Sequence, residues 1–311
     1  MTTSAEPAAR DSAGFGARLA AAQARFGPAC VGIDPHRSLV ESWGLDYSYS
    51  GVERFALTCV EAFGGRVASV KPQSAFFEVF GAQGVALLER VTAELRAAGT
   101  LVILDVKRGD IGTTMTAYGE AFLGRDAPEP ADAITVSPYL GYESLRPALD
   151  LARDTGRGVF VLALTSNPEG AGVQHAVTPG GTVAGDIVAA ATRDNADAAA
   201  RGEWGHIGFV MGATIGSALD DLGLGGALAA SNAPILAPGL GAQGGTVESM
   251  RSVFGESISR VIPTTSRDVL KAGPSVDGLV AAVERIGQRR KVFRRGDHRD
   301  ESFHLGQQVV R

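Results

Sequence analysis

Eight short, mostly apolar runs recur along the chain, at 30–34, 67–71, 101–107, 133–137, 159–165, 207–211, 234–237 and 260–263. Each is of strand length and contains β-branched residues, and a stretch with helical spacing of its apolar positions follows each one. Residues 83–98 show that spacing well: Val85, Leu88, Val91 and Leu95 fall on one stripe, and Gly99 supplies a stop. Strand, crossover helix and next parallel strand make a right-handed unit, and eight such units predict a single (β/α)8 TIM barrel. A doubly wound open sheet would want a glycine-rich fingerprint after its first strand, whereas the first run here ends in Asp34-Pro35. Residues 14–26 come before the first strand with Phe15, Leu19 and Ala22 on one side, which predicts a helix over the bottom of the barrel. The longest connection, 166–181, is rich in glycine and proline and reads as a loop ahead of one helix at 183–200.

A chain of 311 residues could hold two domains, but α/β barrels reach this size as one, and no linker or change of composition divides the sequence. We therefore expect one domain over 1–311, with 1–13 and about 296–311 as peripheral terminal segments. A net charge of −5 argues against a nucleic-acid partner, which demands a concentrated basic face. The basic run 289–295 reads as a solvated helix end or tail. No apolar run approaches the ~18 residues of a membrane span, and the N-terminal stretch has no hydrophobic signal core, so the cytoplasm is the expected location. Cys30 and Cys59 lack disulfide or metal spacing, and the five histidines are scattered, so no metal site is expected.

The chemistry is densest at 101–114, LVILDVKRGDIGTT. Its apolar opening is that of a strand buried on both faces. Alternation along the strand then puts Asp105 and Lys107 on one face, both looking into the site. Asp110 lies past the strand end, where Gly109 and Gly112 let the chain turn and bring a second carboxylate near the same ammonium, in its own subunit or a neighbour's. Carboxylates on either side favour the charged form of an amine. Alone, such a pattern is most often a surface salt bridge.

Its company argues otherwise. Barrels carry their functional residues at the C-terminal ends of the strands, and those ends hold Asp34, Lys71, Asp105 with Lys107, Ser137, Thr165 with Asn167, Thr214, Gln243 and Arg267. Asp34, Asp105 and Asp110 alternate with Lys71 and Lys107 around one mouth. After the last two strands, the glycine-rich run 239–245 exposes backbone N–H groups where barrels commonly hold phosphate, and Gln243 and Arg267 add an amide donor and a forked cation. A substrate with a phosphate at one end would present its reacting atom to Lys107 at the other.

The segments GIDP (32–35), SVKPQ (69–73), LDVKRGDIGTT (104–114), TVSPYLG (135–141), APGLGAQGG (237–245) and TTSR (264–267) resemble the orotidine 5′-phosphate decarboxylase family in its longer bacterial, type 2 form. The resemblance spans about 14–290. It implies a carboxy-lyase that converts orotidine 5′-phosphate to UMP and CO2 in de novo pyrimidine synthesis, without metal or cofactor. It implies a catalytic array of Asp105, Lys107 and Asp110 with Lys71, ribose contacts at Asp34 and Lys71, and pyrimidine contacts at Ser137 and Pro138. Phosphate contacts would come from Gln243 and Arg267, and Ser266 would also contact the substrate. Asp110, Ile111 and Thr114 would reach into the partner's site, which makes a homodimer. The chain departs from shorter relatives at Thr264-Thr265-Ser266-Arg267, where they favour a glycine beside the arginine, and in its long 166–181 loop.

Two other readings compete. A sister activity on the same scaffold, a metal-dependent sugar-phosphate decarboxylase or aldolase, shares D-x-K-x-x-D but places a glutamate at the end of strand two to help hold Mg²⁺. Here Lys71 stands there, and its charge would repel the ion. A silent nucleotide-phosphate binding module would have no use for two carboxylates and a lysine packed together at a cost in stability.

Overall fold

Eight parallel strands pair in sequence order, and the first returns to the last with Cys30 opposite Thr264, closing the barrel. They are β1 (Cys30–Ile33), β2 (Ser69–Pro72), β3 (Leu101–Arg108), β4 (Ala133–Val136), β5 (Gly158–Leu164), β6 (Ile207–Met211), β7 (Ile235–Pro238) and β8 (Val261–Thr265). The computed structural model describes residues 13–241 and 244–287. The main helices are α1 (Phe15–Phe26), α2 (Tyr49–Phe63), α3 (Gly81–Ala97), α4 (Gly112–Leu123), α5 (Arg146–Asp154), α6 (Val183–Asp194), α7 (Val247–Phe254) and α8 (Val276–Gly287). Apart from residue 13, the expected terminal segments 1–13 and about 296–311, together with the basic run 289–295, lie outside the described residues.

The barrel interior is a packed column and not a pore. Cys30, Leu101, Ile103, Ala133, Phe160, Val210, Leu236 and Ile262 point inward, and Phe15 and Leu19 of α1 close the column from below. Phe15 meets Phe160 edge to face at 5.8 Å between centroids. A Cβ on Gly158 would lie 2.2 Å from the Phe15 ring, so a glycine there makes room for the plug. Removing Phe15 and Leu19 from water stabilises the cap by about 1.5–3 kcal/mol per side chain. Its edge is tied down where Arg18 Nη1 donates to Asp132 Oδ1 at 2.5 Å, while Asp132 Oδ2 accepts the Val102 N–H at 3.0 Å.

Three details differ from the sequence reading. On α3, Leu88, Val91 and Leu95 are buried but Val85 is 43% exposed, because the contact at that turn is made by Gly84, where a Cβ would lie 1.8 Å from the Phe77 carbonyl oxygen. The expected helix over 183–200 is broken at Asn195. Its buried carboxamide donates to the Ile207 carbonyl (2.8 Å) and accepts the Ile207 N–H (3.1 Å), tying the helix end to β6. The expected loop at 166–181 has structure of its own: a turn at Pro168–Gly170, a helical turn at Ala171–Gln174, and a hairpin of Val177–Thr178 with Gly181–Thr182. Glycine and proline punctuate these elements instead of leaving the stretch irregular. Between β7 and β8, α7 opens on a reciprocal cap in which Thr246 and Ser249 each accept the other's N–H.

Candidate active site

The alternation that fills the interior also builds the floor of the mouth. On β3 the inward series Leu101, Ile103 continues to Asp105; on β4 Ala133 is followed by Thr135; on β2 Ser69 is followed by Lys71. Asp105 collects three donors: Lys71 Nζ on Oδ2 at 2.6 Å, and Lys107 Nζ (2.5 Å) and the Thr135 hydroxyl (2.9 Å) on Oδ1. Burial alone would raise the Asp105 carboxyl, but the two ammoniums outweigh it and hold it down to about 2. Burial would likewise strip Lys71 of its proton. The charges of Asp34 and Asp105 reverse that and keep it charged well above the ordinary lysine range.

Lys107 reaches Asp105 by a different route from simple alternation. The β3–β4 register shifts between Leu104 and Arg108, and Lys107 sits at φ +44°, in the left-handed region. That conformation costs a lysine about 1–2 kcal/mol, and the surroundings hold it. The Lys107 N–H donates to Thr135 Oγ1 at 3.0 Å, and the Arg108 carbonyl accepts the Ser137 N–H at 2.8 Å. Arg108 Nη2 in turn donates to Glu78 at 2.6 Å. A Cβ at Gly109 would lie 2.4 Å from the Ser137 carbonyl oxygen, so the turn out of β3 requires glycine. The Lys107 side chain stays 44% exposed, reachable from the mouth, while Asp105 beneath it is buried.

On the β1–β8 side of the mouth, Asp34 Oδ1 and His36 Nε2 are buried without a hydrogen-bond partner among the described residues. His36 Nδ1 lies 3.0 Å from Ser38 Oγ, and burial and then the Arg267 charge lower the pKa of its imidazole. Ser266 packs onto β1, where a Cβ at Gly32 would lie 1.9 Å from its Oγ. Arg267 follows, exposed, at the start of a short helix. Gln243, the expected second phosphate ligand, lies outside the described residues.

On the β4–β6 side opens a cavity of about 900 Å³, lined by Lys107, Ser137, Pro138, Thr165, Asn167 and Gln174 among others. Its far wall is the 166–181 excursion, latched to β5 by one amide. Gln174 accepts the Thr165 N–H at 2.8 Å and donates to Thr165 Oγ1 at 2.8 Å, and Thr165 donates onward to Asn167 at 2.6 Å.

Asp110, Ile111 and Thr114 stand apart from this cavity. Asp110 accepts the Ile111 N–H at 2.8 Å, and among the described residues no ion pair joins it to Lys107. Ile111 is 62% exposed, as are Tyr139 and Leu140 after β4 at 78% and 54%. Among the described residues no group of three or more His, Cys, Asp or Glu side chains could hold a metal, and no helix is long and apolar enough to cross a membrane. The sequence reading missed Thr135 and the Gln174 latch. Thr135 could have been found by carrying the inward parity of β4 one step past Ala133. Gln174 had no such signal, because its contact to Thr165 depends on how the excursion folds back.

The family model described as orotidine 5′-phosphate decarboxylase / HUMPS matches residues 27–279. The orotidine 5′-phosphate decarboxylase of Streptomyces coelicolor is 54% identical over 273 residues, covering 88% of this chain and 95% of that one. The Salinispora arenicola enzyme of the same name is 56% identical with the same coverage. Among solved structures, a Streptomyces avermitilis protein assigned to this activity superposes with a TM-score of 0.85 at 52% identity, covering 90% of this chain and 96% of that chain. The OMP decarboxylase of Leishmania donovani superposes with a TM-score of 0.65 at 28% identity, covering 90% and 98%.

Proposed function

The chain belongs to the orotidine 5′-phosphate decarboxylase / HUMPS family, and we propose that it converts orotidine 5′-phosphate to UMP and carbon dioxide, a carboxy-lyase step of pyrimidine synthesis. The observation that carries this reading is the row Lys71–Asp105–Lys107, two ammoniums on one buried carboxylate at the barrel mouth, in a chain more than half identical to decarboxylases along most of its length.

Heterolysis of the bond between C6 and the carboxylate releases CO2 and leaves the electron pair on C6, in the ring plane and out of conjugation. The protein must therefore meet localised charge. The Lys107 ammonium stands ready for that lone pair and then gives it a proton, which completes UMP; the amine recovers a proton from solvent. Opposite charges ~4 Å apart at an effective dielectric of ~20 interact by about 4 kcal/mol. Enzymes lower barriers by about 8–23 kcal/mol, so Lys107 does not act alone. Phosphate contacts at Arg267, Ser266 and Gln243, ribose contacts at Asp34 and Lys71, and base contacts at Ser137 and Pro138 supply the remainder through orientation.

We read the active form as a homodimer in which Asp110, Ile111 and Thr114 complete the partner's site. The exposed apolar Ile111, with Tyr139 and Leu140 on the neighbouring β4 loop, supports an interface there. The cytoplasm, where a charged nucleotide substrate is available, is the location we propose. The sister metal-dependent chemistry would want a carboxylate at the end of β2, but Lys71 holds that position and is bonded to Asp105. Loss of orotidine 5′-phosphate absorbance with purified protein tests the assignment. Turnover that survives EDTA dialysis is expected; no turnover rejects the reaction, and a metal requirement revives the sister activity.

A further inference from the structure

We propose that Thr135 is a positioning residue for the reaction assigned above, its single hydroxyl joining the backbone of Lys107 to the carboxylate of Asp105. The inference rests on that reading for its kinetic consequence and on geometry for the joint itself. Thr135 Oγ1 lies 3.0 Å from the Lys107 nitrogen and 2.9 Å from Asp105 Oδ1, and the residue is 1% exposed on β4.

The proton positions follow from the chemistry of the groups. An amide N–H can only donate and an ionised carboxylate can only accept, so the hydroxyl accepts from Lys107 and gives its one proton to Asp105. Neither bond can reverse. The joint also explains how the β3 irregularity is tolerated: the register shift between Leu104 and Arg108 takes the Lys107 amide out of the ladder, and Thr135 supplies the partner that the sheet no longer provides. It does so at the residue whose φ is +44°. A non-glycine residue persists in that region only where its surroundings over-determine it.

The joint therefore bears on where the Lys107 ammonium stands. With the amide released, Lys107 could relax toward ordinary strand geometry and carry its Nζ away from the reacting carbon. The ribose and phosphate contacts assigned to the ends of β1, β2 and β8 would be undisturbed, and the base contacts at Ser137 and Pro138 would keep the β4 backbone that carries them. The expected signature is a fall in kcat with KM kept, whereas a threonine that merely fills core volume would be replaced by valine without kinetic consequence.

The test compares Thr135→Val, which keeps the shape and removes the hydroxyl, with Thr135→Ser, which keeps the hydroxyl, and adds amide hydrogen exchange at Lys107 by NMR. For Thr135→Val we expect kcat to fall on the order of 10²-fold with KM for orotidine 5′-phosphate retained, most of the turnover restored in Thr135→Ser, and a Lys107 amide protected in the wild type and in Thr135→Ser but not in Thr135→Val. A kcat in Thr135→Val equal to wild type overturns the proposal. So does a loss in kcat, KM and Tm together that Thr135→Ser does not relieve. Should Thr135→Val fail to fold, the wild type still decides, since a Lys107 amide exchanging at the rate of an open loop in the folded protein overturns the joint. Wild-type protein that does not consume orotidine 5′-phosphate would reject the assigned reaction instead, and the exchange measurement would stand independently of it.

Discussion

Lys71 Nζ lies 2.6 Å from Asp105 Oδ2, and the two side chains are only 8% and 9% exposed. The pair is thus withdrawn from water beneath a mouth that anions must enter. The same carboxylate also takes Lys107, and the charge of Asp34 acts on Lys71 as well.

Breaking this pair from one side leaves a buried carboxylate with a single ammonium. Removing one partner of a buried ion pair costs about 3–5 kcal/mol, and the surviving contact to Lys107 argues for the lower end, so Lys71→Met should destabilise by about 3 kcal/mol in urea unfolding. The pH dependence has a definite sign. Asp105 is held below its ordinary value of 3.8, at about 2, so its contribution is fully present above about pH 4 and is lost as pH falls toward about 2. In Lys71→Met that acid-dependent loss should be smaller; an acid limb identical to wild type would count against the coupling.

Lys107→Ala removes the proposed proton donor but leaves Lys71 paired with Asp105. Turnover should drop by about 10²–10⁴-fold or more, while UMP binding by calorimetry remains measurable. Near-normal kcat would remove Lys107 from the mechanism.

The separation of Asp110 from Lys107 within one chain leads to a complementation experiment. If Asp110 works across the dimer, mixing inactive Lys107→Ala and Asp110→Ala subunits produces mixed dimers with one intact site each. At equal amounts and random exchange, about a quarter of wild-type activity should return. No recovery after demonstrated exchange would confine Asp110 to its own subunit.

Arg267 stands exposed at the end of β8 beside Ser266. Losing a charge-assisted contact worth about 1.5–3 kcal/mol, Arg267→Ala should raise KM for orotidine 5′-phosphate by about 10- to 100-fold. An unaltered KM would move the phosphate site elsewhere.

Much of the barrel could be read in advance because its signal is local. A buried parallel strand must be apolar on both faces, and a crossover helix must carry one apolar stripe, so 101–107 and 83–98 declared themselves. The break at Asn195 and the folding of 166–181 were not legible, because each depends on a partner remote in sequence: the β6 backbone for Asn195, the end of β5 for Gln174. Val85 failed for a similar reason. The stripe it sits on is correct, but Gly84 allows the Phe77 backbone so close that the contact shifts by one residue.

The order of strands and helices, and the polar residues at the strand ends, were determined by the sequence alone, since periodicity is a property of neighbours along the chain. That Lys71 and Lys107 share one carboxylate, that Lys107 stands in a left-handed conformation, and that Thr135 holds it there were decided only by the tertiary structure. The reason is the closure of the ring: it sets β2, β3 and β4 side by side, and the register shift between β3 and β4 orients the ammonium, neither of which a linear pattern encodes.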